Sequence, residues 1–354
     1  VPATATKSTG DDFKVLEGQT VVLTGATGSF GRHISRALVT SSGIKRLLFF
    51  SRDEERQRRL RLMLSTLEAK VESVEYVLGD VRDRDSLFRV ASSADLIINA
   101  AALKQVPACE LNALEAIRTN VLGMQNILDA AAERGVREVL TISTDKAVQP
   151  INTMGISKAL QERVVQSHAL RWEAPLVKVV RYGNVLGSTG SVLPVFLSQL
   201  ERTGRITVTD RDMTRFLLTL DNAMHLVHRA LVGEEGTGTT YVRYSPAVTV
   251  EDIAASALRV FSDGDLDRID VVGPRPGDKF HEVLVSEDEM RRAELSDDYY
   301  VIHPITPTDV PGEGPAPTGQ LEPFSSDVAP RIPPDELDRL VGGWAATHTT
   351  TSNF

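Results

Sequence analysis

Two short runs in the sequence pair residue types that can move protons. Thr144-Asp145-Lys146 places a hydroxyl, a carboxyl and an amine side by side. An acid next to a base can take a proton from one atom of a substrate and give one to a neighbouring atom, which is what elimination requires. Eight residues further on, Met154 and Lys158 stand four apart, so on a helix they share a face. A lysine there can hold a hydroxyl or lower nearby pKa values by its charge. A thioether can neither take nor give a proton, so Met154 only fills volume. For Asp145-Lys146 the plain alternative is an ion pair in a surface turn before Pro150.

Position argues for chemistry. The run follows REVLTIS, a β-branched stretch that reads as a strand, and precedes an amphipathic helix over 154–172. From Gln19 to about Val180 such pairs alternate. The strands are QTVVLTG, KRLLFFS, VEYVLGD, ADLIINA, REVLTIS and APLVKVVRYG, and the helices are 29–40, 53–69, 83–92, 111–134 and 154–172. That alternation predicts right-handed crossovers and a Rossmann-type, doubly wound parallel sheet, whose ligands bind outside the carboxyl ends of the strands. After Arg181 the pattern loosens, with helices near 191–203, 221–232 and 250–262. The expected organisation is a dinucleotide-binding domain over 18–181, to which 221–243 can return, and a smaller substrate lobe over 182–303. Nine of the 17 prolines fall in 304–334, which predicts an extended tail over 304–354, with a short helix at 333–344. Residues 1–17 read as a disordered leader without the layout of a signal peptide.

The first strand runs into TGATGSFG, with Gly25, Gly28 and Gly31 spaced for close approach of a pyrophosphate to a helix N-terminus. Thr24, Thr27, Ser29 and Phe30 complete the expected cradle. Ser51, Arg52 and Asp53 end the second strand, where the adenine ribose lies. An arginine comes first there and Arg56 follows one turn on, which favours a 2′-phosphate and hence NADP; a solvated basic helix face is the alternative. Asp80 and Val81 are placed at the adenine, with a helix N-cap as the other reading of Asp80. Asn99, Ala100 and Ala101 end the fourth strand with small residues along the cofactor's path.

Composition narrows the function classes. The 354 residues are 42% hydrophobic and 25% charged, ordinary for a globular protein, and the net charge of −9 disfavours nucleic acid and acidic membranes. No apolar run reaches the length of a membrane span. Cys109 is the only cysteine, which excludes an internal disulfide and a cysteine metal cluster; the expected location is cytoplasmic. His225 and His228 have a metal-compatible spacing but no evident third ligand, so no metal is expected.

Taken together, TGATGSFGRH, SRDE, GDVRD, NAAALKQVPACE, TNVLGMQNIL, STDKAVQPINTMGISK, VRYGNVLGSTGSVLPVF, MTRFLLTLDNA and RPGDKFHEVLVSEDEM resemble the UDP-N-acetylglucosamine 4,6-dehydratases of the extended short-chain dehydrogenase/reductase superfamily, over roughly residues 18–300. The superfamily carries a tyrosine where Met154 stands, but a capsule-type branch of this family has methionine. The resemblance implies bacterial polysaccharide biosynthesis, tightly bound and recycled NADP, and homo-oligomers, often hexamers, in which LEPFSSD at 321–327 could latch a neighbour. It implies oxidation at carbon 4, removal of the carbon-5 proton by Lys146, protonation of the leaving 6-hydroxyl by Asp145, and hydride return to carbon 6. Thr144 would hold the 4-hydroxyl, and Lys158 or a water relay would serve as its base. Lys158 and Asn120 would lie at the nicotinamide end, and Lys104 near the sugar or a phosphate. Asn184, Arg215 and Arg275 would hold the diphosphate; Val192, Leu193, Pro194 and Phe196 would wall the uracil; Glu282 would hold a loop or a ribose hydroxyl. The inverting type is favoured. A retaining 4,6-dehydratase, a 5,6-dehydratase and a non-catalytic NADP-binding sensor are the alternatives.

Overall fold

The computed structural model describes residues 13–188, 190–305 and 321–349. The strands are β1 (Thr20–Thr24), β2 (Arg46–Ser51), β3 (Ser73–Leu78), β4 (Leu96–Asn99), β5 (Glu138–Thr144), β6 (Leu176–Tyr182), β7 (Asn184–Val185), β8 (Ile206–Val208), β9 (Thr214–Leu218), β10 (Thr240–Arg243), β11 (Ala247–Thr249), β12 (Ile269–Val271), β13 (Val283–Val285), β14 (Ala293–Ser296), β15 (Tyr299–Ile302) and β16 (Phe324–Ser325). The α-helices are α1 (Ser29–Thr40), α2 (Glu54–Leu64), α3 (Arg84–Ala91), α4 (Val106–Leu111), α5 (Ala113–Ala116), α6 (Gly123–Arg134), α7 (Thr153–Ala169), α8 (Val192–Thr203), α9 (Leu220–Val232), α10 (Val250–Phe261), α11 (Glu287–Met290) and α12 (Pro334–Thr349).

The main sheet has nine strands in the order β14-β15-β10-β6-β5-β4-β1-β2-β3. The run from β10 to β3 is parallel throughout, and β15 and β14 close it antiparallel. This is the doubly wound Rossmann arrangement, and its order reverses between β1 and β4, where a crevice opens at the carboxyl edge. Every residue of β1 is buried, as a strand covered on both faces requires. One face packs Ile34 and Leu38 of α1, Leu60 of α2 and Leu226 of α9; the other packs Leu87 of α3, Ile127 of α6 and Val165 of α7. A smaller C-terminal lobe has its own core, built from Leu193 and Phe196 of α8, Ile253 and Leu258 of α10, and Leu337 and Val341 of α12.

Four expectations need correction. Phe13 and Leu16 are buried in the main core, so the leader is ordered from Phe13 on; its first twelve residues lie outside the described ones. Residues 293–302 do not belong to the lobe, because β14 and β15 extend the main sheet beside β10. The tail is not wholly extended: β16 pairs with β13, and α12 packs on α10. The single helix expected over 111–134 is broken at Asn112, and a π-helical turn over Ile117–Leu122 joins α5 to α6.

Candidate active site

The parallel strands bring Thr24, Asn99, Thr144 and Tyr182 to one edge of the sheet. At the end of β1, Gly25 has φ +68°, a conformation that disfavours side chains, and a Cβ there would stand 2.5 Å from the Ala100 carbonyl oxygen. A Cβ on Gly31 would stand 2.2 Å from the Gly25 carbonyl oxygen, so α1 sits hard against the turn. Gly28 caps α1 without a side-chain hydrogen bond, which leaves the first N–H groups of that helix free of a side-chain cap. This cradle suits an anionic dinucleotide.

The surrounding expected residues divide. Thr24 Oγ1 donates to Asn99 Oδ1 at 2.7 Å, and Asn99 Nδ2 donates to Thr141 Oγ1 at 3.1 Å, so both side chains tie strands together. Ser51 is buried and its hydroxyl has no partner among the described residues. Asp53 is the N-cap of α2, its Oδ1 accepting from the Arg56 N–H at 2.9 Å and its Oδ2 standing 3.5 Å from the Arg56 guanidinium. Arg52 and Arg56 are exposed. Asp80 is held by Arg82 at 2.6 Å and faces Arg52 at 3.8 Å. Partial burial pushes its pKa up, but Arg82 and Arg52 outweigh that and hold it low. Val81 packs under Gly123 of α6. Thr27, Phe30, Ala100 and Ala101 are half-buried along the crevice, and Lys104 is exposed.

The Thr144–Lys146 run is built more tightly than its sequence suggests. Asp145 is fully buried. Its Oδ1 accepts from Thr144 Oγ1 at 2.8 Å and from Lys146 Nζ at 3.1 Å, while Oδ2 has no partner among the described residues. Lys146 Nζ also donates to Asn184 Oδ1 at 3.3 Å and lies 3.2 Å from Glu282 Oε1. Lys279 and Arg215 flank Glu282 at 3.6 and 4.0 Å. Burial pushes the Asp145 pKa up and Glu282 adds to that; Lys146 pulls it back only in part. Burial opposes the Lys146 charge, but Asp145 and Glu282 outweigh it and raise its pKa. Burial also acts against the Glu282 carboxylate, yet Lys146, Arg215 and Lys279 bring its pKa below the usual value.

Helix α7 seats this loop. Asn152 caps it, accepting from the Gly155 N–H at 2.8 Å, and donates from Nδ2 to the Gly277 carbonyl. A Cβ on Gly155 would stand 2.3 Å from the Lys146 carbonyl oxygen, so only glycine lets the helix approach. Met154 is buried against Cys109, Ala116, Leu103 and Val106, an apolar nest. Lys158 Nζ donates to the Ile142 carbonyl at 2.5 Å and to Gln161 Oε1 at 2.6 Å. Burial pulls its pKa down to about 8. Asn120, on the π-turn, clamps Leu103 through both its N–H and C=O and donates to Ser157, so it shapes the crevice wall.

Several expected substrate contacts are placed elsewhere. Leu193 and Phe196 are core residues of the lobe rather than a wall for a base, because the apolar face of α8 turns inward; Val192 and Pro194 are half-buried beside them. Arg215 spends its guanidinium on the carbonyls of Thr214, Phe280 and Lys279. Arg275 is exposed. His228 meets Phe13 edge-on, and among the described residues no group of three potential ligands could hold a metal. Two contributors were not singled out in the sequence. Lys279 ties the loop to the 275–282 segment by donating to the Val148 carbonyl; its signal was a second cation beside Arg275 in RPGDKFHE. Gln161, three residues after Lys158 on the same helix face, fixes that lysine.

A model of the polysaccharide biosynthesis protein family matches residues 21–304. The UDP-glucose 4-epimerase of Rickettsia conorii is 39% identical over 335 residues, covering 91% of this chain and 95% of that protein. Among solved structures, Pen from Bacillus thuringiensis is 29% identical with a TM-score of 0.79, covering 92% of this chain and 99% of that one. DesIV, a dTDP-glucose 4,6-dehydratase from Streptomyces venezuelae solved with NAD and TYD bound, has a TM-score of 0.69 at 19% identity, covering 94% and 98%. The last likeness concerns the fold: a Rossmann-type sheet with a C-terminal lobe, as in sugar-nucleotide enzymes of the short-chain dehydrogenase/reductase type. The chain belongs to the polysaccharide biosynthesis protein family.

Proposed function

We propose that this member of the family is an NADP-dependent UDP-N-acetylglucosamine 4,6-dehydratase of the inverting type. The observation that carries the reading is the buried Asp145–Lys146 contact at the carboxyl end of β5. A protein that only binds a nucleotide has no use for an acid and a base there, and 4-epimerisation needs no proton transfer at carbons 5 and 6.

At 3.1 Å a proton can pass from the Lys146 ammonium to the Asp145 carboxylate. The resting pair is ammonium and carboxylate, because Asp145 and Glu282 hold the Lys146 charge; burial, which raises the Asp145 pKa, lowers the cost of the transfer. That one transfer prepares both catalysts. The amine takes the proton from carbon 5 and becomes the ammonium; the carboxylic acid gives its proton to the departing 6-hydroxyl, which leaves as water. Both groups then stand in their starting forms. Nicotinamide chemistry, when the dinucleotide is bound, supplies oxidation at carbon 4 and reduction at carbon 6. Its holders on this chain are Gly25, Gly28 and the N-terminus of α1, with Ser51 and Arg52 at the ribose.

Lys158 takes the part that a tyrosine would otherwise play at the 4-hydroxyl. With a pKa of about 8 it is partly neutral at physiological pH and can accept a proton. The rate of carbon-4 oxidation should therefore rise with pH through about 8, since only the neutral amine is a base. In a Lys158→Arg variant that rise should vanish, as stopped-flow absorbance of the reduced nicotinamide at varied pH would show.

The NADP preference rests on Asp53 capping its helix while Arg52, exposed and 3.8 Å from Asp80, lies at the surface where a phosphate would approach. Charge-assisted hydrogen bonds contribute about 1.5–3 kcal/mol. Arg52→Glu should thus weaken NADP about 10- to 100-fold while leaving NAD little changed, read by calorimetric titration.

Leu111 and Leu114, 85% and 67% exposed, together with Leu122, Ile156 and Leu160 on the neighbouring turns, give an apolar surface that supports a homo-oligomer. The 4-epimerase names of the relatives favour a second reading, epimerisation at carbon 4 of a UDP-hexose. Incubation with UDP-N-acetylglucosamine in deuterated water separates the two. Loss of water with deuterium at carbon 5 supports dehydration, and the proton couplings report inversion. An isomer of unchanged mass with no label supports epimerisation and overturns the dehydratase.

A further inference from the structure

We infer that Ser326, in the C-terminal segment beyond the part matched by the family model, is a positioning residue for Lys146: its hydroxyl locks the backbone of Glu282 so that the Glu282 carboxylate stays on the lysine. The inference rests on Lys146 being the proton-transfer group proposed above.

Three pieces of chain, far apart in sequence, meet at this hydroxyl. β16 pairs antiparallel with β13, Ser325 opposite Val283 and Phe324 opposite Val285. Ser326 follows directly and is fully buried. Its N–H donates to the Glu282 carbonyl at 2.8 Å, and its Oγ accepts from the Glu282 N–H at 2.9 Å. Both backbone groups of Glu282 are thus taken by one residue of the tail. The Ser326 hydroxyl lies 2.6 Å from Thr214 Oγ1 and 3.2 Å from the Thr214 carbonyl, and Thr214 Oγ1 lies 2.8 Å from His281 Nδ1. The chain of bonds runs from Glu282 N–H to Ser326, to Thr214, to His281. It joins β9, which carries Arg215, to Glu282 at the entry to β13. A buried, fully connected network of this kind fixes geometry because each unmade bond costs a desolvated polar group.

Glu282 needs such fixing. It is 2% exposed, and its carboxylate meets Lys146 at 3.2 Å. The charged groups facing Lys146 are Asp145, Glu282 and, further off, Arg215, with Lys279 bound to the far side of Glu282. A small shift of the Glu282 backbone moves the one carboxylate that comes from outside the Lys146 loop. The tail segment thereby acts on its own chain's active site, in addition to any contact with a neighbouring subunit.

The test compares the full-length wild type with Ser326→Ala. Trace acetic anhydride is added over a range of pH, and acetylation of Lys146 is followed by mass spectrometry. The amine reacts only when neutral, so the midpoint reports how firmly carboxylates hold the ammonium. Loosening Glu282 should lower the midpoint by about one pH unit, or about tenfold more labelling at a fixed pH below both midpoints. Thr214→Val, which removes the next hydroxyl in the chain and keeps the volume, should shift the labelling in the same direction, and it serves if the alanine variant fails to fold. A wild-type labelling curve in a folded variant, with only the melting temperature lowered, overturns the inference. Labelling needs no sugar nucleotide, so a shifted curve in a protein that does not dehydrate the substrate upholds the positioning role and overturns the function.

Discussion

The Lys146→Met protein should eliminate water from UDP-N-acetylglucosamine about 10³-fold more slowly than the wild type, and it should also be less stable, more so at pH 8 than at pH 5. The rate follows from the loss of the base, since a positioned proton-transfer group contributes about 10²- to 10⁴-fold. The stability effect follows from what is left behind. Asp145 and Glu282 are almost wholly buried, and Lys146 is the cation that they share. Breaking a buried pair by removing one partner costs about 3–5 kcal/mol. Glu282 keeps Lys279 and Arg215, so the orphan is Asp145. Its pKa, already raised by burial, must rise further without the lysine. The folded state then keeps a proton that the unfolded chain releases above about pH 4. Stability must therefore fall as pH rises from there towards the raised value, and the deficit is smallest in acid. Urea denaturation at the two pH values measures this. Equal deficits at pH 5 and pH 8 would place the Asp145 charge elsewhere, and wild-type turnover would remove Lys146 from the chemistry.

Gly25→Ala should lose both the cofactor and several kcal/mol of stability, whereas Gly28→Ala should lose mainly the cofactor. An alanine at φ +68° costs about 1–2 kcal/mol from its own backbone. Its Cβ would also stand 2.5 Å from the Ala100 carbonyl oxygen and 2.7 Å from the Ala101 nitrogen. Those are backbone atoms at the end of β4, which cannot swing away as a side chain would. Overpacking of this kind adds about 1–3 kcal/mol. At Gly28 the nearest atom is 3.4 Å away and the residue is exposed, so alanine fits the protein and obstructs only what approaches from outside. Thermal melts, with the ratio of absorbance at 260 and 280 nm as a measure of retained nucleotide, separate the two. Gly28→Ala melting as low as Gly25→Ala would mean that the turn is a folding element and not a binding surface.

The sequence was most legible where a pattern repeats. Six apolar runs alternating with amphipathic ones determined a parallel, doubly wound sheet, because a strand covered on both faces must be apolar throughout and the helices that cover it must be apolar on one side. The glycine spacing after β1 and the Asp145-Lys146 pair after β5 were legible for the same reason: their places at strand ends follow from the strands themselves. Caps and breaks were partly legible. The π-turn at 117–122 and the end of α4 at Asn112 left no periodic signal.

The tertiary structure decided what one-dimensional order cannot carry. The edge strands β14 and β15 are short and could pair in either body; the partner offered by β10 settled it. Arg215 read as a phosphate clamp until its guanidinium was found on backbone carbonyls, and Phe196 read as a wall until the lobe core enclosed it. Glu282 and Ser326 stand 137 and 181 residues after Asp145 by their numbering. Nothing in their local sequence announces that the Glu282 carboxylate lies 3.2 Å from Lys146 or that Ser326 takes both backbone groups of Glu282. A side chain's type is written in the chain, but its pKa and its role come from the charges and the burial around it, and those are supplied by residues that only folding brings near.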